Sequence, residues 1–237
     1  LEDGANIEVS VTPTDEDAGA SLTVSVSTNN GSLFPSGSIT IVDTTGGSGT
    51  SRTITMNPPD NQYGTAEVIV SVTDGLLTVN QQFTATVTAV NDAPTITSTA
   101  DTSAPEDAAY SYTITASDVD GDALTYAAPT LPSWLSFNAG TRVLSGTPLN
   151  ANVGDHSVVL TVTDDGEGTL EDSQTFTITV TNTNDTPVLA VISDPSAVLE
   201  DGANIEVSVT PTDEDAGASL TVSVSTNNGS LFPSGSI

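Results

Sequence analysis

Apolar and polar residues alternate along most of this chain. The alternation is clearest in NIEVSVTP, SLTVSVST, AEVIVSVTDG and QFTATVTAV, and later in YSYTITASD, HSVVLTVTDDG and QTFTITVTN. Valine, isoleucine and threonine dominate these runs, whereas glycine, proline, asparagine and aspartate separate them, as expected of short strands joined by turns. Helical spacing is not sustained over a useful length. About seven short strands in every ~100 residues predict all-β sandwich domains.

The chain repeats part of its own sequence. Residues 1–39 return without change as residues 199–237, which defines a period of 198 residues. That period is too long for a solenoid unit and suits two domains of about 100 residues each. NDAP and NDTP each follow a final alternating run, and proline favours an extended entry into the next strand. We therefore predict a first domain at residues 1–92 that lacks its first strand, a second at residues 93–185, and the N-terminal part of another first-type domain at residues 186–237.

The charge composition is strongly one-sided. The chain has 31 Asp and Glu against two Lys and Arg and one His, which gives a formal net charge of -29. A nucleic-acid partner is excluded, because nothing in the chain could neutralise its phosphates. Such self-repulsion opposes a compact fold unless cations bind. There is no cysteine to form disulfides. No apolar run approaches the roughly 20 residues of a membrane span, so membrane insertion is not expected.

The acidic residues recur in the same order in both domain types. Each type has an acidic pair after its first strand, an alternating acidic group after its second, an acid in VTDG or VTDDG, and an Asn-Asp pair in its linker. The groups are Glu2-Asp3, Asp15-Glu16-Asp17, Asp74 and Asn91-Asp92, then Glu106-Asp107, Asp118 to Asp122, Asp164-Asp165 and Asn184-Asp185. Because the strands of a sandwich run up and down in a known order, these acids fall at the two ends of each domain.

In a head-to-tail rod, the lower end of one domain meets the upper end of the next. The expected facing groups are Glu2, Asn91 and Asp92 with Asp118, Asp120 and Asp164, and Glu106, Asn184 and Asp185 with Asp213 and Asp215. Several ionised carboxylates share such a cleft only when a cation sits there. Ca²⁺ takes six to eight oxygen ligands at about 2.3–2.6 Å, and the lack of cysteine and near lack of histidine argue against zinc or copper. The sequence therefore predicts Ca²⁺ as the bound ion.

The four-part acidic pattern resembles that of tandem cadherin-like domains in large bacterial surface and RTX-type adhesins. The motifs that carry the resemblance are ED after the first strand, DxD after the second, TDG and NDxP. The segment LPSWLSFNAGTRVLSGTPLNANVGDHSVVLTVTDDG also resembles the dystroglycan-type cadherin-like (Ig-like) domain, with WLxF followed by SGTP. Together these resemblances cover nearly the whole chain. They imply Ig/cadherin-like Greek-key β-sandwiches in a head-to-tail rod, with Ca²⁺ making each junction rigid.

The sequence departs from the cadherin pattern in two places. The DRE motif has no counterpart, and we substitute Asp60 or Asn61 in the first domain type and Asp155 in the second. The linkers NDAP and NTNDTP are shorter than the full cadherin linker, which allows fewer ions at each junction. The predicted calcium ligands are Glu2, Asp15, Asp17, Asp60, Asp74, Asn91, Asp92, Glu106, Asp118, Asp120, Asp155, Asp164, Asn184, Asp185, Glu200, Asp213 and Asp215.

Other motifs point to structure rather than chemistry. DVDGDALT is not an EF-hand, because Gly121 is its fourth residue instead of its sixth and Pro129 stands where a bidentate glutamate is required. Trp134 is a candidate sugar-stacking platform, but its apolar neighbours favour a place in the core. His156 has no partner at ligand spacing, which favours a surface or hydrogen-bonded role. No motif ties a nucleophile to a base, so an enzyme is not expected.

We expect a calcium-stiffened, non-catalytic extender repeat of a secreted or cell-surface adhesin, extracellular and on a bacterial surface. Its partners are neighbouring repeats of the same chain or other copies. The alternatives are a carbohydrate-binding module accessory to a polysaccharide-degrading enzyme, with a glycan partner, and a homophilic adhesion domain. Residues 186–237 should pack against material outside their own chain, or belong to a longer polymer in which Leu199 plays the part of the next Leu1.

Overall fold

The computed structural model describes residue 4 and residues 6–17, 19–199, 202, 204–228 and 231. Within these residues every regular element is a β-strand, apart from one short 3-10 helix at Asn150–Asn152. The prediction of an all-β fold is therefore confirmed. The described residues contain no helix with the length and hydropathy needed to cross a membrane.

The chain divides into two compact units. The first comprises Leu1–Thr95, Ala116–Thr125 and Val162–Asp172, and the second comprises Ile96–Thr115, Tyr126–Thr161 and Ser173–Ile237. Two later segments, Ala116–Thr125 and Val162–Asp172, thus group with the N-terminal unit. This unit consequently contains both segments and the linker at Asn91 and Asp92.

The described residues of the N-terminal sandwich form seven strands. They are β1 (Ile7–Val11), β2 (Ser21–Thr28), β3 (Ile39–Ile41), β4 (Thr45–Gly47), β5 (Arg52–Met56), β6 (Gly64–Thr73) and β7 (Thr78–Val87). They form one sheet in the order β1-β5-β3 and another in the order β4-β2-β6-β7. Alternate side chains such as Val24, Ile54 and Val68 are buried from both sheets and form a single core. The alternation in the sequence is therefore the alternation between core and solvent.

Arg52, one of the two basic residues, is used inside this sandwich. It is 1% exposed, and its guanidinium donates hydrogen bonds to three backbone carbonyl oxygens, those of Asp43, Thr50 and Leu22, at 2.9, 3.1 and 3.1 Å. Its donors are thus directed to main-chain oxygens at the sheet edge. Buried donors must be paired in this way to avoid a desolvation cost.

The following strands are β8 (Thr95–Ile96), β9 (Ser103–Pro105), β10 (Tyr110–Thr113), β11 (Ala116–Ser117), β12 (Thr125–Thr130), β13 (Leu135–Asn138), β14 (Val143–Gly146), β15 (Gly154–Thr163) and β16 (Glu171–Thr181). Their sheets have the orders β10-β14-β13, β12-β15-β16-β9 and β11-β8. The edge strand β9 runs parallel to β16, with Ala104 opposite Val180. Leu144, Leu160 and Ile178 are fully buried. This arrangement places an acidic residue directly after β9, β11 and β15.

Trp134 packs against other rings. Its ring lies edge to face with Tyr110 and with His156, at centroid distances of 6.0 and 5.9 Å. A ring nitrogen of His156 lies 2.6 Å from the carbonyl oxygen of Asn152. The tryptophan is half-buried. The predictions of a packing role for Trp134 and a hydrogen-bonded role for His156 agree with these contacts.

The C-terminal segment contains little regular structure. Its described residues form two short strands, β17 (Val188–Leu189) and β18 (Pro211–Thr212), which pair antiparallel. Apolar side chains remain exposed here, including Val191 at 97% and Leu199 at 85%. Strand formation over residues 219–226, which repeat the sequence of β2, is not observed.

Candidate metal centres

Six polar side chains converge where the first linker meets the loops after β11 and β15. We call this group the first acidic cluster, and it consists of Asn91, Asp92, Asp118, Asp120, Asp122 and Asp164. Asp118, Asp120 and Asp122 each offer a carboxylate oxygen within 4.8 Å of the others. The alternating spacing DVDGD places these three carboxylates in one loop.

Asp118 organises that loop. Its Oδ1 accepts the backbone N–H groups of Asp120, Gly121 and Asp122 at 2.9, 3.1 and 3.3 Å. Gly121 has a φ of 83°, a conformation that residues with a Cβ rarely adopt. The other oxygen, Oδ2, is buried and has no hydrogen-bond partner within the described structure. The loop thus turns one oxygen of Asp118 toward the main chain and leaves the second available.

The linker is tied to both loops by direct contacts. The backbone N–H of Asp92 donates to Asp120 Oδ2 at 2.8 Å, and the side-chain amide of Asn91 donates to Asp164 Oδ2 at 3.1 Å. Asp164 is 3% exposed, and its Oδ1 accepts two backbone N–H groups of its own loop at 3.0 and 3.1 Å. A Cβ at Gly166 would overlap Asn91 Oδ1 and Asp122 Oδ2. Oxygens from the linker and from the loop after β11 therefore approach one point beside that glycine.

The surroundings of Asp122 in the first cluster are unfavourable for negative charge. Burial, together with the charges of Asp118, Asp165, Asp120 and Asp164, raises the pKa of Asp122 above its ordinary value. A raised pKa means that the folded surroundings disfavour the ionised carboxylate. A cation in the cluster would reverse that preference.

The second acidic cluster lies within the other compact unit and consists of Glu106, Asn182, Asp185, Asp213 and Asp215. Glu106, Asp185 and Asp215 each offer an oxygen within 4.8 Å of the others. Glu106 is 2% exposed, and its Oε1 accepts the N–H of Thr183 at 2.6 Å. Its Oε2 and the Oδ2 of Asp185 are buried without a hydrogen-bond partner in the described structure.

Asp215 receives the hydrogen bonds of this cluster. Asp185 N–H donates to its Oδ2 at 2.8 Å, and the amide of Asn182 donates to its Oδ1 at 2.6 Å. These bonds lower the pKa of Asp215, whereas burial and then the charges of Asp107, Asp215, Glu106 and Glu214 raise the pKa of Asp185. One carboxylate is thus stabilised as the anion while its neighbour is destabilised.

The two clusters use the same contacts. In each, the second residue of the linker Asn-Asp pair donates its backbone N–H to an aspartate Oδ2 at 2.8 Å, Asp92 to Asp120 and Asp185 to Asp215. In each, the aspartate two positions earlier accepts the N–H of that acceptor residue at 2.9 Å. The two linkers therefore make the same pair of hydrogen bonds with their loop aspartates.

The donor atoms of both clusters suit a hard cation such as Ca²⁺. Every potential ligand is a carboxylate, amide or backbone oxygen, which suits a hard cation. A buried carboxylate oxygen without a partner is costly, and Asp118 Oδ2, Glu106 Oε2 and Asp185 Oδ2 are such oxygens in these clusters. A bound cation would satisfy them. The residues present therefore fit the ion that the sequence resemblance implies.

Several predicted ligands lie elsewhere. Asp15 Oδ1 accepts the N–H of Asp17 at 2.7 Å, and Asp74 Oδ1 accepts those of Leu76 and Leu77 at 2.8 and 2.7 Å. Asp15 and Asp74 line one shallow cavity. These acids thus form the same kind of loop as the cluster residues, but without a linker aspartate bound to them in the described structure.

Three further predicted ligands are exposed, and the two carboxylates among them belong to neither group of converging oxygens in the described residues. Asp60 lies in a turn, Asp155 accepts the hydroxyl of Thr179 at 2.7 Å, and Asn184 donates to the carbonyl of Asp185 at 3.0 Å. Glu2 and Glu200 lie outside the described residues. The role of all of these as ligands stays a prediction.

The predicted set omits two residues that the structure places in the clusters, Asp122 and Asn182. Asp122 is the last acid of DVDGD, and its spacing of two from Asp120 is the signal that could have included it. Asn182 carries no such signal, because its contact with Asp215 joins residues 33 positions apart.

Part of the chain matches a known family. Residues 93–181 match the model of a family described as "Putative Ig domain". This match covers less than half of the chain. No curated protein sequence matches the chain.

Several solved structures are similar at low sequence identity. The human CDH23 EC21-23 structure is 20% identical over 90% of this chain and 78% of its own, with a TM-score of 0.49. The protocadherin gammaB7 EC3-6 cis-dimer is 18% identical over 90% of this chain and 62% of its own, with a TM-score of 0.47. An endo-fucoidan hydrolase of glycoside hydrolase family 107, MfFcnA4, is 22% identical over 75% of this chain, with a TM-score of 0.35. The chain spans only 26% of that hydrolase.

Proposed function

We propose that this chain is a non-catalytic, calcium-binding extender segment of an extracellular adhesin on a bacterial surface. Its domains are residues 1–92, residues 93–185 and the partial domain at residues 186–237. Ca²⁺ binds at the two acidic clusters, and the ligands come from the linkers and from the loops after the strands. The bound ions hold each linker to the loops that surround it, which stiffens the chain.

The single observation that supports this proposal most strongly is the repetition of one acidic arrangement in two places. Each cluster couples a linker aspartate to a loop aspartate at 2.8 Å and retains buried carboxylate oxygens without partners. An active site needs its catalytic pair of carboxylates only once. An arrangement that recurs at each linker instead serves to hold the linker in place. Calcium would supply the positive charge that the chain, at a net charge of -29, lacks.

Trp134 bears on the glycan alternative. Its ring is half-buried and engaged edge to face by Tyr110 and His156. An exposed, flat aromatic platform is the usual requirement for stacking on a sugar. This residue therefore favours the spacer function over carbohydrate binding.

Calcium titration calorimetry with matched charge variants tests the proposal. Glu106→Gln and Glu67→Gln each remove one negative charge, but only Glu106 belongs to a cluster, whereas Glu67 is exposed on β6. We expect the parent chain to bind with dissociation constants of roughly 10⁻⁴–10⁻³ M, as in extracellular modules. Glu106→Gln should weaken one site at least about tenfold, and Glu67→Gln should leave binding unchanged. Equal weakening by both variants would mean diffuse electrostatic attraction and not a site.

Small-angle scattering tests the mechanical part of the proposal. The maximum dimension and the flexibility of the chain are compared in calcium and in chelator. We expect a longer and stiffer particle in calcium. Calcium binding without any change in the scattering curve would support the metal sites and contradict the extender function.

A further inference from the structure

Gly166, in the loop after β15, is not required by its backbone conformation. Its φ lies outside the left-handed region, so alanine could adopt the same backbone. Gly75, in the loop after β6, differs, because its φ is 94° and no described atom would lie within 4 Å of a Cβ at that position. A side chain at position 75 would therefore strain the backbone, whereas a side chain at position 166 would collide with other atoms.

Two oxygens from separate segments fill the space beside Gly166. A Cβ there would overlap Asn91 Oδ1, from the linker, and Asp122 Oδ2, from the loop after β11. Asn91 turns its oxygen to this point because its side-chain nitrogen donates to Asp164 Oδ2 at 3.1 Å. Both converging atoms are hydrogen-bond acceptors, so neither can satisfy the other. They share a volume of about one methyl group, and a cation beside them would be attracted to both.

The loop that carries Gly166 is closed on itself. Asp164 Oδ1 accepts the N–H groups of Gly166 and Leu170 at 3.1 and 3.0 Å. The carbonyl of Gly166 accepts the N–H of Thr169 at 3.2 Å, and the N–H of Asp164 donates to the carbonyl of Leu170 at 3.1 Å. A methyl group at position 166 would therefore displace the two oxygens more readily than the loop.

The neighbouring residue Asp165 brings the other loop to this point. Its Oδ1 accepts the N–H of Ala123 at 2.7 Å, which holds the residue that directly follows Asp122. In the first sandwich a glycine follows Asp74 directly, whereas here Asp165 stands between the corresponding aspartate and Gly166. The additional aspartate thus joins the two loops and sets Asp122 beside the glycine.

We propose that Gly166 is a positioning residue of the first acidic cluster, because its missing side chain leaves the space through which the linker enters the cluster. Asn91 supplies an oxygen there without adding a charge, which suits a place beside Asp164, a carboxylate that is 3% exposed. A larger residue at position 166 would leave both loops folded and separate the linker from them. This inference rests on the proposed calcium function and names a residue on which one of its sites depends.

Two glycine variants, compared by calcium calorimetry, test the steric role. Gly166→Ala and Gly140→Ala each add one methyl group where φ is outside the left-handed region. A Cβ at Gly140 would lie 3.4 Å from Asn138 Oδ1, which is an ordinary van der Waals contact. We expect Gly166→Ala to weaken one calcium site by at least about tenfold and Gly140→Ala to leave binding unchanged. An unchanged affinity in Gly166→Ala would overturn the inference and leave the proposed function intact.

A double-mutant cycle with Asn91→Ala separates a collision from general damage to the loop. If the added methyl group acts by displacing Asn91, it has little left to displace in a chain that already carries Asn91→Ala. Gly166→Ala should then weaken calcium binding by less than about threefold in that background. Two independent losses would multiply instead, and that result would contradict the steric role.

Hydrogen exchange in chelator tests the same role without the ion. The backbone N–H of Asp92 donates to Asp120 Oδ2 at 2.8 Å and reports whether the linker is attached. We expect this N–H to exchange at least about tenfold faster in Gly166→Ala than in Gly140→Ala, with the amides of β15 unchanged. Equal exchange in the two variants would sink the inference. A parent that binds no calcium would contradict the proposed function, and this comparison would still decide the role of Gly166.

Discussion

One sequence is present twice in this chain and adopts two different structures. SLTVSVST at residues 21–28 is strand β2, and there Leu22 and Val24 are each 2% exposed. The same letters at residues 219–226 form no strand, and there Leu220 and Val222 are 36% and 48% exposed. The local sequence is identical, so the difference comes entirely from the surroundings.

The acidic turn of the repeated sequence behaves differently from the strands. Asp15 accepts the N–H of Asp17 at 2.7 Å, and Asp213 accepts that of Asp215 at 2.9 Å. The turn is therefore the same in both copies. Within the described residues, however, Asp215 also accepts a linker N–H, that of Asp185, and Asp17 does not. Asp17 is exposed and Asp215 is half-buried as a result.

The comparison separates local from non-local causes. Strand β2 is paired with β4 and β6, whereas residues 219–226 form no strand and have no partner strand in the described structure. A strand buries its apolar face only against partners, because its own residues cannot supply them. A turn closed by a side-chain oxygen needs only the residues that follow it.

Amide hydrogen exchange should show the largest difference between the copies. Residues 21–28 should exchange only on unfolding of the sandwich, and residues 219–226 should exchange nearly as an open chain. For a domain of ordinary stability this amounts to a difference of about 10³-fold or more in protection. Mass spectrometry of peptides unique to each copy by their flanking sequence measures it. Similar protection in both copies would show that the second copy is folded in solution.

Truncating the same leucine in each copy should show the next largest effect. Leu22→Ala should lower the free energy of unfolding by about 2–5 kcal/mol, because it leaves a cavity in the core. Leu220→Ala should change it by no more than about 0.5 kcal/mol, as for an exposed site. Urea unfolding measures both. A larger effect at Leu220 would contradict the exposure that distinguishes the copies.

Neutralising the same aspartate in each copy should separate the acidic turns. Asp215→Asn should weaken calcium binding by at least about tenfold, because the residue joins the second acidic cluster. Asp17→Asn removes the same charge where no linker aspartate is bound. Calorimetric titration compares the two variants. If Asp17→Asn had the stronger effect, the linker contact would not be what builds the site.

The smallest effect should come from Asn182, which donates to Asp215 at 2.6 Å. In the first linker the corresponding residue is Ala89, so Asn182→Ala makes the second cluster resemble the first. Loss of one hydrogen bond is worth about 0.5–1.5 kcal/mol, which corresponds to a twofold to tenfold weaker calcium affinity. Thr183→Ala serves as a control in the same linker, since Thr183 contributes its backbone to Glu106. An unchanged affinity in Asn182→Ala would place that residue outside the site.

Much of the candidate site could be predicted from the sequence. The alternating pattern predicts where strands end, and so it predicts the acids directly after β9, β11 and β15. The clusters contain the predicted residues Asp92, Asp118, Asp120, Asp164 and Asp185. Asp60 and Asp155 stand in for a missing motif in the sequence prediction, and neither lies in a cluster within the described structure. Their positions along the chain do not follow from the ends of predicted strands, so the sequence does not predict where they lie in the fold.

The sequence alone determined the set of strand-forming runs and their order. It also determined the turns closed by aspartate, because those turns join residues only two to four positions apart. The tertiary structure decided which runs became strands and which acids met. Asp92 reaches Asp120 across 28 positions, and Glu106 reaches Thr183 across 77. Contacts of that range form only when separate strands are packed into one fold, so their partners are set by the sandwich and not by neighbouring letters. The two copies of SLTVSVST differ for the same reason, since burial depends on partner strands, which β2 has and residues 219–226 do not have in the described structure.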